Sequence, residues 1–144
     1  MVGTIAYFAI LLAVLVYLPR CGGKTGRWAA YLQLSSWLAS LIANQMLHGS
    51  PYLWTTMLSI DLASLCWKTA LAIKSTRRWP IWMAAFQINT ASAHLTILVP
   101  NWDIRLYYAM YTVWAMPSLL VMLIGTALDR RFDRKMAAAT TREA

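Results

Sequence analysis

Apolar residues run along this chain in five long stretches, 2–18, 28–47, 52–73, 81–99 and 106–128, broken by short polar links at 19–27, 48–51, 74–80 and 100–105. An α-helix needs about 20 mostly apolar residues, with about 17 as the lower edge, to cross a hydrocarbon layer roughly 30 Å thick. All five stretches meet that length. Links this short force neighbouring helices to run antiparallel. The pattern therefore predicts an all-α fold, a polytopic transmembrane bundle of five helices, with one transmembrane domain over 1–135 and a short tail over 136–144.

The first stretch has two readings. A secretory signal would carry basic residues ahead of the apolar run and a small-residue exit such as Ala-x-Ala, and neither is present. Arg20 also stands where a lipoprotein signal needs a small residue before Cys21. The stretch reads as a retained helix closed by Pro19.

Composition agrees with a membrane class. Hydrophobic residues make up 60% of the 144 and charged residues 12%, against about 45–50% and about 25% in ordinary soluble domains. Neither a typical soluble enzyme nor a disordered chain has that balance. The net charge of +8 is spread in a way that argues against a nucleic-acid groove, because the basic residues cluster between apolar runs. Arg20, Lys24 and Arg27 occupy one link; Lys74, Arg77 and Arg78 another; Arg130, Arg131, Arg134, Lys135 and Arg142 the tail. Arg105 alone falls on the opposite side. Cytoplasmic segments are enriched in Lys and Arg, so the N-terminus is expected outside and the C-terminus in the cytoplasm.

Trp28, Tyr31, Tyr52, Trp54, Trp79, Trp82, Trp102, Tyr107 and Tyr108 lie near the ends of these stretches, as an aromatic belt at the headgroup layer would place them. Pro117 falls inside the fifth stretch and is expected to bend it. Ser36/Ser40, Ala39/Ala43, Ser59/Ala63 and Ser92/Thr96 are four apart, a spacing that lets helix backbones approach.

The chemistry resides in polar residues at membrane depth. Asp61 and Lys68 lie two helical turns apart on the third helix, each costing about 2.5–3.5 kcal/mol at a helix centre. With Ser64 and Leu65 they form one stripe. About 10.5 Å of rise, at roughly 1.5 Å per residue, separates them, so a third group or a water is expected between them. On the fourth helix Gln87, Thr90, Ala91 and His94 share a face, with Asn89 and Ser92 beside it. Counted from the outer side, Asp61 and His94 differ by about 6 Å in depth at roughly 1.5 Å per residue. Asn44, Gln45 and Ser40 of the second helix lie at a similar level, and Gln33 lies deeper, toward Lys68.

Two readings of this cluster compete. Asp61 and His94 can form a proton- or cation-handling pair in a cavity open to the outside, since imidazole titrates near neutral pH. Alternatively Asp61, Lys68, Gln87, Asn89, Thr90, Asn44 and His94 are satisfied groups that hold helices together, with Lys68 snorkelling to the inner headgroups.

Other chemistry finds little support. Gly22-Gly23-Lys24-Thr25 resembles the end of a phosphate-binding loop, but Leu18 stands where the first glycine is required. Cys21 and Cys66 form no metal or redox motif, and no HExxH or Ser-His-Asp order is present. No cofactor or metal is expected. A pigment or haem on His94 as axial ligand ranks last, because His48 lies at a different depth and cannot supply a second axial imidazole.

The segment Lys74-Ser75-Thr76-Arg77-Arg78-Trp79-Pro80-Ile81-Trp82-Met83-Ala84-Ala85-Phe86-Gln87, with His94-Leu95 following, resembles small inner-membrane proteins of alphaproteobacteria that have no assigned activity. The resemblance covers the third to fifth helices and leaves out the first helix and the Gly22-Gly23 link. It implies a bacterial inner-membrane location and no mechanism. The sequence thus reads first as a non-enzymatic accessory or structural subunit, its partners the lipid bilayer and a larger membrane complex or homo-oligomer. Its second reading is a proton- or ion-linked transporter or channel built on Asp61 and His94.

Overall fold

A computed structural model describes residues 2–98 and 104–143. The fold is all-α: α1 Val2–Cys21, α2 Gly23–Met46, α3 Leu53–Lys74, α4 Trp79–Ala93 and α5 Ile104–Glu143, with a 3-10 turn, His94–Leu98, continuing α4. Each helix packs on its neighbour in sequence, and α5 returns to pack on α1. Among the described residues the result is a closed ring of five helices, in which α1 and α5 run parallel where they meet.

Several boundaries differ from those the apolar pattern predicts. α1 does not close at Pro19 but runs through it to Cys21, and α2 begins at Gly23 rather than 28. The expected nine-residue link shrinks to a corner at Gly22. Glycines make this possible. The Gly22 amide donates to the Leu18 carbonyl at 2.8 Å and Gly23 turns the chain at φ 59°. At Gly26 a Cβ would lie 2.5 Å from the Leu18 carbonyl oxygen, so only glycine lets the two backbones cross there.

α4 begins two residues early because Pro80 is favourable in a first turn. It ends at Ala93, short of the predicted 99, so His94 sits on the 3-10 turn instead of an α-helix. Val99 and Trp102, together with most of the expected 100–105 link, lie outside the described residues. α5 passes Pro117 and position 128 without interruption and continues to Glu143. Its extension is held from the α3–α4 loop: Arg77 donates to both oxygens of Asp133, at 3.2 and 2.7 Å, and lies 3.6 Å from Asp129 one turn earlier.

The same contacts bring the basic segments together. Arg130 donates to the Cys21 sulfur at 2.9 Å, and the Thr25 and Ser75 hydroxyls meet at 3.4 Å. The α1–α2 corner, the α3–α4 loop and the α5 extension therefore share one end of the ring, hereafter the basic end.

Inside the ring, apolar and polar residues divide by level. Leu18, Ala29, Ala30, Trp79, Met83 and Met122 pack with Leu11, Val14 and Leu119 into one core. That core fills the half nearer the basic end. Trp79 was expected in an interfacial belt, yet it is buried, because Gly125 leaves a slot against which its side chain lies. Tyr107 is likewise buried, whereas Trp28, Tyr31, Tyr52 and Trp82 are exposed as the belt requires.

Outside, the ring is apolar: Ile5, Leu12, Ile42, Trp67, Ile73, Ile81, Val113 and Ile124 are all exposed. Among the described residues two helical segments are long and apolar enough to cross a membrane, Leu53–Lys74 and Ala109–Met136, while Ile5–Cys21 is apolar but shorter. α2 falls short in apolarity because Gln33, Ser35, Ser36, Ser40, Asn44 and Gln45 dilute it, and α4 falls short in length, at 15 residues.

The corner yields the first prediction. Gly23→Ala should cost roughly 1–2 kcal/mol, the left-handed penalty of a side chain with open space around it. Gly26→Ala should cost distinctly more, because backbone must move. Thermal unfolding in mild detergent measures both, and a G26A protein melting at the parental temperature would rule out this corner.

Candidate functional site

On α3 the buried residues are Asp61, Ser64 and Lys68, the stripe expected from their spacing. On α4 and its continuation Gln87, Thr90, Ala91 and His94 are buried as one face. The two stripes meet, and the third group expected between Asp61 and Lys68 is Gln87. Its Nε2 donates to Asp61 Oδ1 at 2.9 Å and its Oε1 accepts from Lys68 Nζ at 2.6 Å. An amide suits this position because it donates from one end and accepts at the other. It is also long enough to span the gap between the two charges.

Lys68 does not snorkel. It is 2% exposed and its ammonium turns inward, donating a second hydrogen bond to Gln33 Oε1 at 3.2 Å. Two amide oxygens inside the ring supply what a headgroup would otherwise provide.

Asp61, 6% exposed, uses its second oxygen on His94: Oδ2 lies 2.6 Å from His94 Nε2. The other ring nitrogen, Nδ1, lies 3.1 Å from the Tyr107 hydroxyl. With neutral His94, Nε2–H donates to Asp61 and Nδ1 accepts from Tyr107. With protonated His94, Nδ1–H donates to the Tyr107 oxygen instead. A hydroxyl can take either role, so a proton can enter or leave the imidazole with both contacts kept. Tyr107 is braced by Trp54, edge-on at 5.0 Å, and by Tyr111, stacked at 6.1 Å.

Of this chain of bonds, Gln33–Lys68–Gln87–Asp61–His94–Tyr107, the first four members line a cavity of about 350 Å³ to which all five helices contribute, and His94 and Tyr107 stand behind Asp61. Tyr7, Ser40, Asn44, Thr90, Tyr111 and Ser118 line it alongside Asp61 and Lys68. The lining lies from the middle of the ring toward the end away from the basic segments. Ser118 Oγ is buried there without a hydrogen-bond partner.

Not every expected residue joins the cluster. Asn44 reaches the cavity wall from a largely exposed position, and Thr90 lines it while returning its hydroxyl to the Phe86 carbonyl at 3.0 Å. Asn89 is exposed on the outer face of α4 and takes no part. Gln45 is exposed and outside the cavity lining. Tyr7, Tyr107 and Tyr111 were missed as site residues; Tyr107 and Tyr111, four apart on α5, carried the helical spacing that could have paired them. Both nitrogens of His94 are engaged by protein groups. Among the described residues no three His, Cys, Asp or Glu side chains gather as a metal site.

Gln87→Leu removes the shared partner of two buried charges, and breaking such a pairing costs about 3–5 kcal/mol. The combined variant D61L/K68M/Q87L removes the charges as well and should recover most of that loss. Unfolding in detergent decides the matter: a Q87L protein as stable as the parent would show that the amide is not the link between the charges.

No protein-family model, curated protein or solved structure matches this chain, so the functional reading rests on the geometry.

Proposed function

We propose that this chain is a multi-pass protein of a bacterial inner membrane, its five helices enclosing a proton-handling site used to move a small polar solute or cation. The observation that carries this reading is the 2.6 Å contact between Asp61 and His94 at the edge of a 350 Å³ cavity lined by polar groups.

Membrane embedding is supported by the inverted polarity of the ring. Ile73 is 79% exposed and Ile5 67%, whereas Lys68 is 2% exposed; water would favour the reverse. Only 17% and 24% of the most apolar 18-residue stretches of these two segments are buried, unlike core helices of a soluble protein. The clustering of basic segments at one end supports a C-terminus in the cytoplasm and an N-terminus outside. The cavity then lies toward the outer side and the apolar core seals the inner half.

In this arrangement a proton enters from the cavity and is shared by Asp61 and His94, and Tyr107 changes its hydrogen-bond direction to follow it. The Lys68 ammonium, linked through Gln87, offsets the charge left on Asp61 when the proton departs. Carboxylate and imidazole groups at membrane depth serve proton relays in this way.

A second reading, an accessory subunit that packs into a larger membrane complex, is favoured by one observation: Asp61 and Lys68 are satisfied wholly by helix-to-helix hydrogen bonds. Reconstitution into vesicles carrying a lumenal pH dye separates the two. The transport reading expects proton movement under an imposed gradient, abolished in Asp61→Asn and retained in Gln45→Ala. Absence of flux in the parent protein, together with co-purification at fixed ratio with larger subunits, would overturn it in favour of packing.

A further inference from the structure

A second, larger void lies on the outside of the ring, between α2 and α3. It is a groove of about 880 Å³ whose walls are Leu32, Ala39, Ile60, Ala63, Trp67 and Leu71. Small residues on both helices open it: Ala39 on α2 and Ala63 and Ala70 on α3 are part of its lining. Its floor includes Ser36 and Ser64, whose hydroxyls are hydrogen-bonded at 3.0 Å and also line the polar cavity. One pair of hydroxyls therefore separates an apolar groove from the charged network.

The groove is not apolar throughout. At the basic end it terminates in Lys24 and Lys74, with Thr25 and Ser75 between them. The two hydroxyls meet at 3.4 Å and bridge the helix ends. Both lysines are exposed. This is also where α2 starts, with Gly22 at its cap position and no side chain capping it. The positive end of a 24-residue helix, its first amides free of a side-chain acceptor, thus adds to two ammonium groups.

We propose that this groove binds one anionic phospholipid, its phosphate held by Lys24, Lys74 and the start of α2, and an acyl chain laid along the Ala39–Ala63 channel. Basic pockets between membrane helices on the cytoplasmic side recognise anionic headgroups by this combination. The charge at its end favours an anionic headgroup over a purely apolar occupant, and the apolar groove of about 880 Å³ has room for an unbranched hydrocarbon chain. An acyl chain there covers the outer side of the Ser36–Ser64 pair and keeps lipid-facing backbone away from the polar cavity. The inference rests on the membrane reading above.

The test is intact-mass measurement of the protein purified in mild detergent, followed by delipidation and titration with phosphatidylglycerol or phosphatidylethanolamine. One retained phosphatidylglycerol per chain is the expected result, with much weaker retention of phosphatidylethanolamine. K24Q/K74Q should weaken phosphatidylglycerol binding about thirtyfold, roughly fivefold per lysine, as for basic residues at an anionic surface. Ala63→Trp, which leaves both lysines in place and blocks the channel, should also abolish retention. Equal binding of the two lipids, or unchanged binding in both variants, overturns the proposal, as does a second copy of the chain occupying the groove. Recovery of the protein without detergent in the soluble fraction would instead defeat the membrane reading itself.

Discussion

Two opposite charges on one helix, two turns apart and facing inward, impose the constraint from which the rest of this ring follows. Asp61 and Lys68 cannot reach each other directly, and neither can remain buried alone at tolerable cost. A single side chain that joins them must donate at one end, accept at the other and be long enough to span the gap. Gln87 meets all three conditions, and serine or threonine in its place would be too short. Once Gln87 is engaged, the register of α4 against α3 is set. His94, seven residues further on, then arrives at the free oxygen of Asp61. Two turns apart, both side chains reach the one carboxylate, Gln87 at Oδ1 and His94 at Oδ2.

Closure of the ring by α5 against α1 completes the site from a direction the α3–α4 pair could not provide. Tyr107 and Tyr111 of α5 meet the imidazole, and Tyr7 of α1 adds to the cavity wall. The same closure divides the interior. Trp79 fills the slot beside Gly125, Met83 and Met122 are fully enclosed, and the half toward the basic end holds the apolar core. The other half retains open volume lined by hydroxyls, amides and the network itself.

Much of this was legible in the chain. Helical spacing alone put Asp61, Ser64 and Lys68 on one face and Gln87, Thr90 and His94 on another, and the rise per residue required a third group between the charges. The inward turn of Lys68 was not legible, because snorkelling and burial use the same flexible stem and differ only in whether acceptors wait inside. Asn89 was misjudged because it lies one position from the true face, and a helix rotates about 100° at each residue. The extension of α1 through Pro19 depends on Gly22, Gly23 and Gly26 acting together across a tight crossing. Hydropathy alone cannot report such a crossing. The tyrosines were hidden for a different reason: aromatic residues near the ends of apolar runs suit an interface and a buried site equally well.

A network that serves only to join helices gains nothing from a void beside it. Space next to buried charge invites water, weakens the hydrogen bonds that offset burial, and forfeits the dispersion contacts that close packing would supply. Gln33, Lys68, Gln87 and Asp61 all line this cavity, while His94 and Tyr107 continue the network behind Asp61, outside the lining. Asp61 thus presents one side of a titratable pair to a space large enough for several waters, with Ser40, Asn44 and Thr90 on its walls. The Lys68 ammonium, joined through Gln87, offsets the carboxylate charge on the same wall. A proton relay requires that access, whereas packing alone gains nothing from it.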